Sequence, residues 1–283
     1  MFAGRNPADR VALSFNLLTI MNPNWLGVLS SILAIVSFPI VYRIGVRLRL
    51  RLRCFLVGFS SALAVPGASF SIYYAHLFRE PSWYFQFRSI SGTELLIVLV
   101  GVAGGLIASM LPQRLWVLPF FVVVLLAIVP SMKPFIGPIP EGSLVDEWDG
   151  DICLQSTPST CGAASVATIL KHFGGDVRES ELAAEAHSYS GGTESWYLAR
   201  SIRARGYDVK FDIKEGFAFD IEFPSLVGVR LGSVGHFIPI LGREGHRLLI
   251  GDPLRGREFL SEEELLGRYD FTGFYMSIRN GGE

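Results

Sequence analysis

Four long apolar runs in the first 133 residues constrain this chain more than any other feature. Residues 11–42 carry no charged side chain, and Asn22-Pro23-Asn24 divides them into a short leading segment and the eighteen-residue run from Trp25 to Tyr42, long enough to cross a bilayer. Further runs extend from Cys54 to Leu77, with Pro66-Gly67 inside, from Leu95 to Leu111, and from Leu115 to Met132. Four spans are expected. A cleaved signal peptide fits the first run less well, because its apolar stretch begins past residue 24 and no small-residue cleavage site follows it. Half of the 283 residues are apolar, as a membrane class requires. Gly101, Gly104 and Gly105 in the third run would let a neighbouring helix approach closely.

Charge divides the chain in the same place. Residues 1–133 hold eleven Lys/Arg against three acids, a net of +8, whereas 134–283 hold fourteen against twenty-three, a net of −9. The acidic second part makes nucleic acid an unsuitable partner. Arg43, Arg47, Arg49, Arg51 and Arg53 crowd the loop between the first two spans, while Arg79 and Arg88 in the next loop stand beside Glu80 and Glu94. Basic short loops stay in the cytoplasm, so the first loop is expected inside, and four spans then place everything after Met132 outside an inner membrane. Trp25, Tyr73, Tyr74, Trp83 and Trp116 fall near span ends, as interfacial or as ordinary packing aromatics. No charged side chain sits deep in a span to suggest an ion pathway.

Residues 134–150, with Pro134, Pro138, Pro140 and Gly142, read as an extended linker, and 151–283 as a separate domain after a transmembrane region of 1–133. The domain begins with helical patterns at 161–173, 179–187 and 194–205. It continues with strand patterns at 207–213, 225–231, 236–241, 247–252 and 273–278, the last preceded by a short helix from Ser261. Helices followed by strands imply an α+β domain with an antiparallel sheet.

Its first helix carries the chemistry. Ser159 and Thr160 are suitable N-caps, and Cys161 falls in the first turn, where unpaired N–H groups favour a thiolate and can bind an oxyanion. Alone, Cys161 is better read as a small core residue, so a base decides. His172 lies eleven residues along the same helix, about 16 Å away at about 1.5 Å per residue, and His76, His187 and His246 are poorly placed. His236 remains. A hairpin centred on Glu244 would set His236 opposite Asp252, with Cβ atoms about 5 Å apart, although a one-residue slip would put them on opposite faces and Asp252 also suits the Asp-Pro turn after it. Pro239 lacks a ladder donor, so its strand is expected at an edge or with a bulge.

Cysteine on a helix, with histidine and aspartate on a following sheet, is a papain-like order. More closely, residues 150–280 resemble the C39 family of cysteine peptidases, through Gln155 six before Cys161, Cys161-Gly162-Ala163-Ala164, Gly192-Thr193, Gly235-His236-Phe237, and Asp252-Pro253 followed by Gly256. The resemblance implies that Cys161 attacks, His236 carries the proton, Asp252 orients the imidazole and Gln155 donates to the oxyanion. It also implies a peptide or leader-peptide substrate cut after a double glycine. Thr160 stands where the family often has an acid, and Ser165 where a second cysteine is common. These 283 residues contain no Gly-x-x-x-x-Gly-Lys-Ser/Thr loop, so ATP is not an expected ligand and any transporter would be a separate partner.

The sequence therefore reads as a four-helix transmembrane region joined to an α+β papain-like cysteine peptidase domain, acting on a peptide or protein at a lipid bilayer without metal or cofactor. A transpeptidase or acyltransferase using the same thioester, and a silent peptide-binding module, are the alternatives. Cys153, eight residues before Cys161, is the available partner for an inactivating disulfide.

Overall fold

A computed structural model describes residues 23–281 except Phe219, so the leading apolar segment lies outside the described residues. The described residues form two compact units, Pro23–Glu80 with Ile90–Ile136, and Pro81–Ser89 with Gly137 onward.

In the first unit are helices α1 (Trp25–Gly45), α2 (Leu50–Ile72), α4 (Ile97–Met110) and α5 (Val117–Ile136); the intervening α3 (Ser82–Arg88) belongs to the other. With their flanking 3-10 turns, the four measure 21, 26, 18 and 24 residues and are long and apolar enough to cross a membrane. Their lengths exceed the apolar runs because helical hydrogen bonding extends beyond at least one end of each, before the start for the second and third spans (from Leu50 and Thr93) and past the end for the first and fourth (to Gly45 and Ile136). α5 runs through Pro130 and Pro134 to Ile136, into the expected linker. Leu29, Ile32, Val36 and Ile40 leave the outer face of α1 apolar and exposed, while Ala34 and Phe38 are buried. The glycines of α4 act as expected. A Cβ at Gly101 would fall on the Ala34 carbonyl, and one at Gly105 on that of Phe38, so side-chain-free backbone is what lets α1 and α4 touch. Arg53 turns inward from the basic loop and donates to the carbonyls of Val46, Leu48 and Ser109 at 2.9–3.0 Å.

The second unit opens with a small ribbon, β1 (Trp148–Asp149) and β2 (Ile152–Cys153), followed by α6 (Cys161–His172), α7 (Glu179–Glu185) and α8 (Ser195–Ala204). Strands β3 (Tyr207–Ile213), β4 (Ser225–Leu231), β5 (Val234–Glu244), β6 (Arg247–Asp252) and β7 (Gly256–Ser261), helix α9 (Glu262–Arg268) and strand β8 (Asp270–Asn280) complete it. The six-stranded sheet has the order β3-β8-β4-β5-β6-β7, with every neighbouring pair antiparallel. α6 amasses ten consecutive buried residues, Cys161 to Leu170, and Ser165 Oγ donates to the Phe237 carbonyl of β5 at 3.0 Å. The helix and the sheet come close at Gly251, where a Cβ would meet Ile152 at 2.9 Å and Thr168 at 3.0 Å. A second core, of Val227, Val229, Ile238, Ile240, Leu248 and Ile250, covers the sheet beside α9.

Two parts differ from expectation. β7 is a strand that its sequence, Gly-Arg-Glu-Phe-Leu-Ser, conceals, because an edge strand is kept charged and lacks a continuous apolar run. The linker is tied to the domain. Gly137 accepts the Ser190 N–H at 2.7 Å, and the Asp146 carboxylate accepts the N–H and hydroxyl of Ser180, in the first turn of α7, at 2.8 and 2.6 Å.

Candidate active site

Helix α6 starts at Cys161 with Thr160 in the capping position, yet no side chain caps it. Thr160 Oγ1 instead accepts the Thr157 N–H at 3.1 Å, and Ser159 Oγ donates to the Ser190 carbonyl at 2.6 Å. The capping expected of Ser159 and Thr160 is therefore not made. The consequence is chemical, because first-turn N–H groups without a side-chain cap remain available to an anion beside the Cys161 thiol.

His236 Nε2–H donates to Asp252 Oδ1 at 3.0 Å, both side chains being buried. The hairpin that brings them together is not the expected one. Its turn is the two-residue Gly245-His246 rather than one centred on Glu244, giving the pairs Glu244↔Arg247, Arg243↔Leu248 and Gly242↔Leu249. Continued unchanged, that register would set Asp252 opposite Pro239 and on the far face from His236. A bulge at Leu241 intervenes, and pairing resumes at Ile240↔Ile250. Carried two residues on, it brings Asp252 level with Ile238, one step along the same face from His236, so the two meet diagonally rather than directly. The bulge also answers the Pro239 problem: β5 is an interior strand, and among the described residues no β6 pair forms at Pro239.

The Asp252 carboxylate is satisfied on both sides. Oδ1 also accepts the Leu254 N–H at 2.9 Å, Oδ2 accepts the Tyr269 hydroxyl at 2.7 Å, and the Arg255 guanidinium stands 3.7 Å from Oδ2. Burial raises the Asp252 carboxyl, and the bonds from His236, Tyr269 and Leu254 outweigh it, holding the group below the usual carboxylate range. At His236 burial disfavours charge, but the hydrogen bond with Asp252 and the influence of the Cys161 sulfur prevail and raise the imidazole to about 9. With Nε2 given to Asp252, Nδ1 is the nitrogen left for Cys161. Tyr269 was not legible in the sequence, since it follows α9 without any motif around it.

Gln155 is held by its N–H to the Pro253 carbonyl at 3.0 Å, which joins its loop to the residue after Asp252. One Nε2 proton goes to the Thr157 carbonyl at 2.8 Å and leaves the other for an oxyanion. The neighbouring Ser156 is fixed by Glu179, a fully buried carboxylate that accepts the Ser156 N–H at 2.9 Å and its hydroxyl as well. Cys153 and Cys161 are both free thiols. Burial, then the charges of Glu179 and Asp146, push the Cys153 thiol up to about 12, which makes it an inert core residue and a poor disulfide partner. Among the described residues no group of His, Cys, Asp and Glu is arranged to hold a metal.

A sequence profile of the peptidase C39 family matches residues 150–281. The C-terminal domain belongs to that family. An uncharacterized protein of Methanothermobacter thermautotrophicus is 31% identical over 135 residues, covering 46% of this chain and 89% of that protein. One from Methanothermobacter marburgensis is 29% identical over 132 residues, covering 45% and 80%. Among solved structures, the peptidase domain of Streptococcus ComA, a bifunctional ABC transporter of a quorum-sensing pathway, aligns at 22% identity and a TM-score of 0.39, over 44% of this chain and 95% of that one. A double-glycine motif protease from an AMS/PCAT transporter, in complex with its leader peptide, aligns at 21% identity and a TM-score of 0.38, over 45% and 89%. The C39 domain thus accounts for the acidic second part of the chain, and the four apolar helices lie outside it.

Proposed function

We propose that this protein is a membrane-anchored cysteine peptidase that cuts a peptide or leader-peptide bond with Cys161 as nucleophile, His236 as proton carrier, Asp252 as orienter and Gln155 as oxyanion donor. The observation that carries the reading is the buried, hydrogen-bonded pair His236–Asp252, whose imidazole is raised in part by the Cys161 sulfur at the uncapped start of α6.

The Cys161 thiolate adds to the scissile carbonyl carbon, and the oxygen takes the negative charge against the Gln155 amide and the first N–H groups of α6. Collapse breaks the C–N bond, and the departing amine takes the proton from the His236 imidazolium. A water then gives its proton to His236 as it attacks the thioester, releasing the acid and restoring the pair. Asp252 keeps Nε2 protonated, so that Nδ1 is the nitrogen that exchanges protons with sulfur, amine and water.

The four apolar helices are the anchor in this reading, with the basic loop Arg43–Arg53 in the cytoplasm and the C39 domain on the outer side of the membrane. A transporter is the partner that would export the processed peptide in this reading. The test is turnover of a synthetic leader peptide with a double-glycine site by the full chain, followed by product mass. Two fragments meeting at the double glycine are expected, and an intact peptide with the wild-type chain would contradict the reading. A ligated product formed with an added amine would instead indicate transfer.

A further inference from the structure

Helix α3 lies in sequence between the second and third spans, yet Tyr84, Phe85 and Arg88 are buried within the unit that contains the C39 domain. The Phe85 ring stands 5.8 Å from Phe211, 6.4 Å from Trp196 and 5.3 Å, edge to face, from Phe274. Two arginines of α8 hold the end of the helix. Arg200 donates to the Arg88 carbonyl at 2.7 Å, Arg203 donates to the Ser89 hydroxyl at 2.5 Å, and the Arg88 guanidinium lies 4.2 Å from the Trp196 ring.

The packing continues inward from there. Phe274 stands 5.5 Å from Phe237, the residue after His236. Phe237 is also bound to the nucleophile's helix, through its carbonyl to Ser165 and through its ring, which a Cβ on Gly162 would meet at 3.3 Å. Phe237 therefore touches the elements that carry Cys161 and His236, and Phe85 supports it from behind through one ring. Close-packed interiors transmit a displaced ring to its neighbours, because no void exists to absorb it.

We infer that Phe85 is a positioning residue for the Cys161–His236 pair, acting through Phe274 and Phe237, so that the loop between the second and third spans is a working part of the peptidase. The inference rests on the proposed peptidase reading for the identity of that pair.

The test is the rate of Cys161 alkylation by iodoacetamide across pH, in the full chain in detergent, read by mass spectrometry of the Cys161 peptide. In the wild type, Cys161 should react readily at neutral pH. Phe85→Ala should slow that reaction about tenfold and shift the profile to alkaline pH, with Phe85→Leu intermediate should the alanine variant not fold. Ile202→Ala, a truncation of another buried side chain in the same unit, should keep the wild-type profile. Wild-type profiles for both Phe85 variants, or an equal shift in Ile202→Ala, would overturn the proposal. His236→Ala separates the two levels: if it leaves the profile unchanged, the pair itself is wrong, whereas a loss there with unchanged Phe85 variants defeats only the role of Phe85.

Discussion

The Tyr269 hydroxyl donates to Asp252 Oδ2 at 2.7 Å while His236 occupies Oδ1 at 3.0 Å, so one fully buried carboxylate is held from two directions. Removing the hydroxyl leaves Oδ2 short of a donor in a place water does not reach. Tyr269→Phe is expected to lower stability by about 1–3 kcal/mol and to reduce turnover several-fold without loss of fold. Asp252→Asn should cost far more turnover, because the amide favours the wrong imidazole tautomer. Thermal unfolding and peptide cleavage check both, and a Tyr269→Phe variant of wild-type stability and rate would show the bond to be idle.

Gln155 tests the oxyanion assignment. Gln155→Ala removes one donor and should reduce kcat by about 10²–10³ with little change in KM, since the interaction exists only once the oxygen is charged. A rise in KM at unchanged kcat would assign Gln155 to substrate binding instead.

The stability of the domain should depend on pH in two directions. His236 has a folded pKa of about 9, above its ordinary 6.5, so its contribution is complete below about 6.5 and is lost as pH rises through about 9. That difference corresponds to about 3 kcal/mol at most. Asp252 is depressed, so its contribution is present above the ordinary carboxylate range and is lost as pH falls through its folded value. Unfolding midpoints across pH should therefore fall on both sides, and His236→Ala should flatten the alkaline side. An alkaline side unchanged in His236→Ala would mean that another group titrates there.

Orientation is tested with a single reporter cysteine. Position 145 is well exposed, and Val145→Cys in a background of Cys54→Ala, Cys153→Ala and Cys161→Ala in intact spheroplasts should react with an impermeant maleimide before lysis. Labelling only after lysis would place the C39 domain in the cytoplasm.

How far the sequence could be read follows from what each feature depends on. The spans were legible because run length and charge act locally, and the Cys161 helix because its apolar spacing is internal to it. The meeting of His236 with Asp252 was foreseen for an incomplete reason. The turn lies nearer the C-terminus than expected, and the bulge at Leu241 restores the face that this turn would have cost. Neither is visible without the partner strands. Tyr269 and α3 were hidden for the same cause, because each acquires its role from residues far away in sequence: Asp252 in one case, Trp196, Phe211 and Phe274 in the other.

The central claim is that Cys161 forms a thioester with its substrate. Acid quenching of the full chain during turnover of a double-glycine leader peptide, followed by mass mapping, should find the leader acyl group on Cys161 and should find neither adduct nor cleavage in Cys161→Ala. Cleavage that persists in Cys161→Ala, or an acyl group on any other residue, would contradict the account.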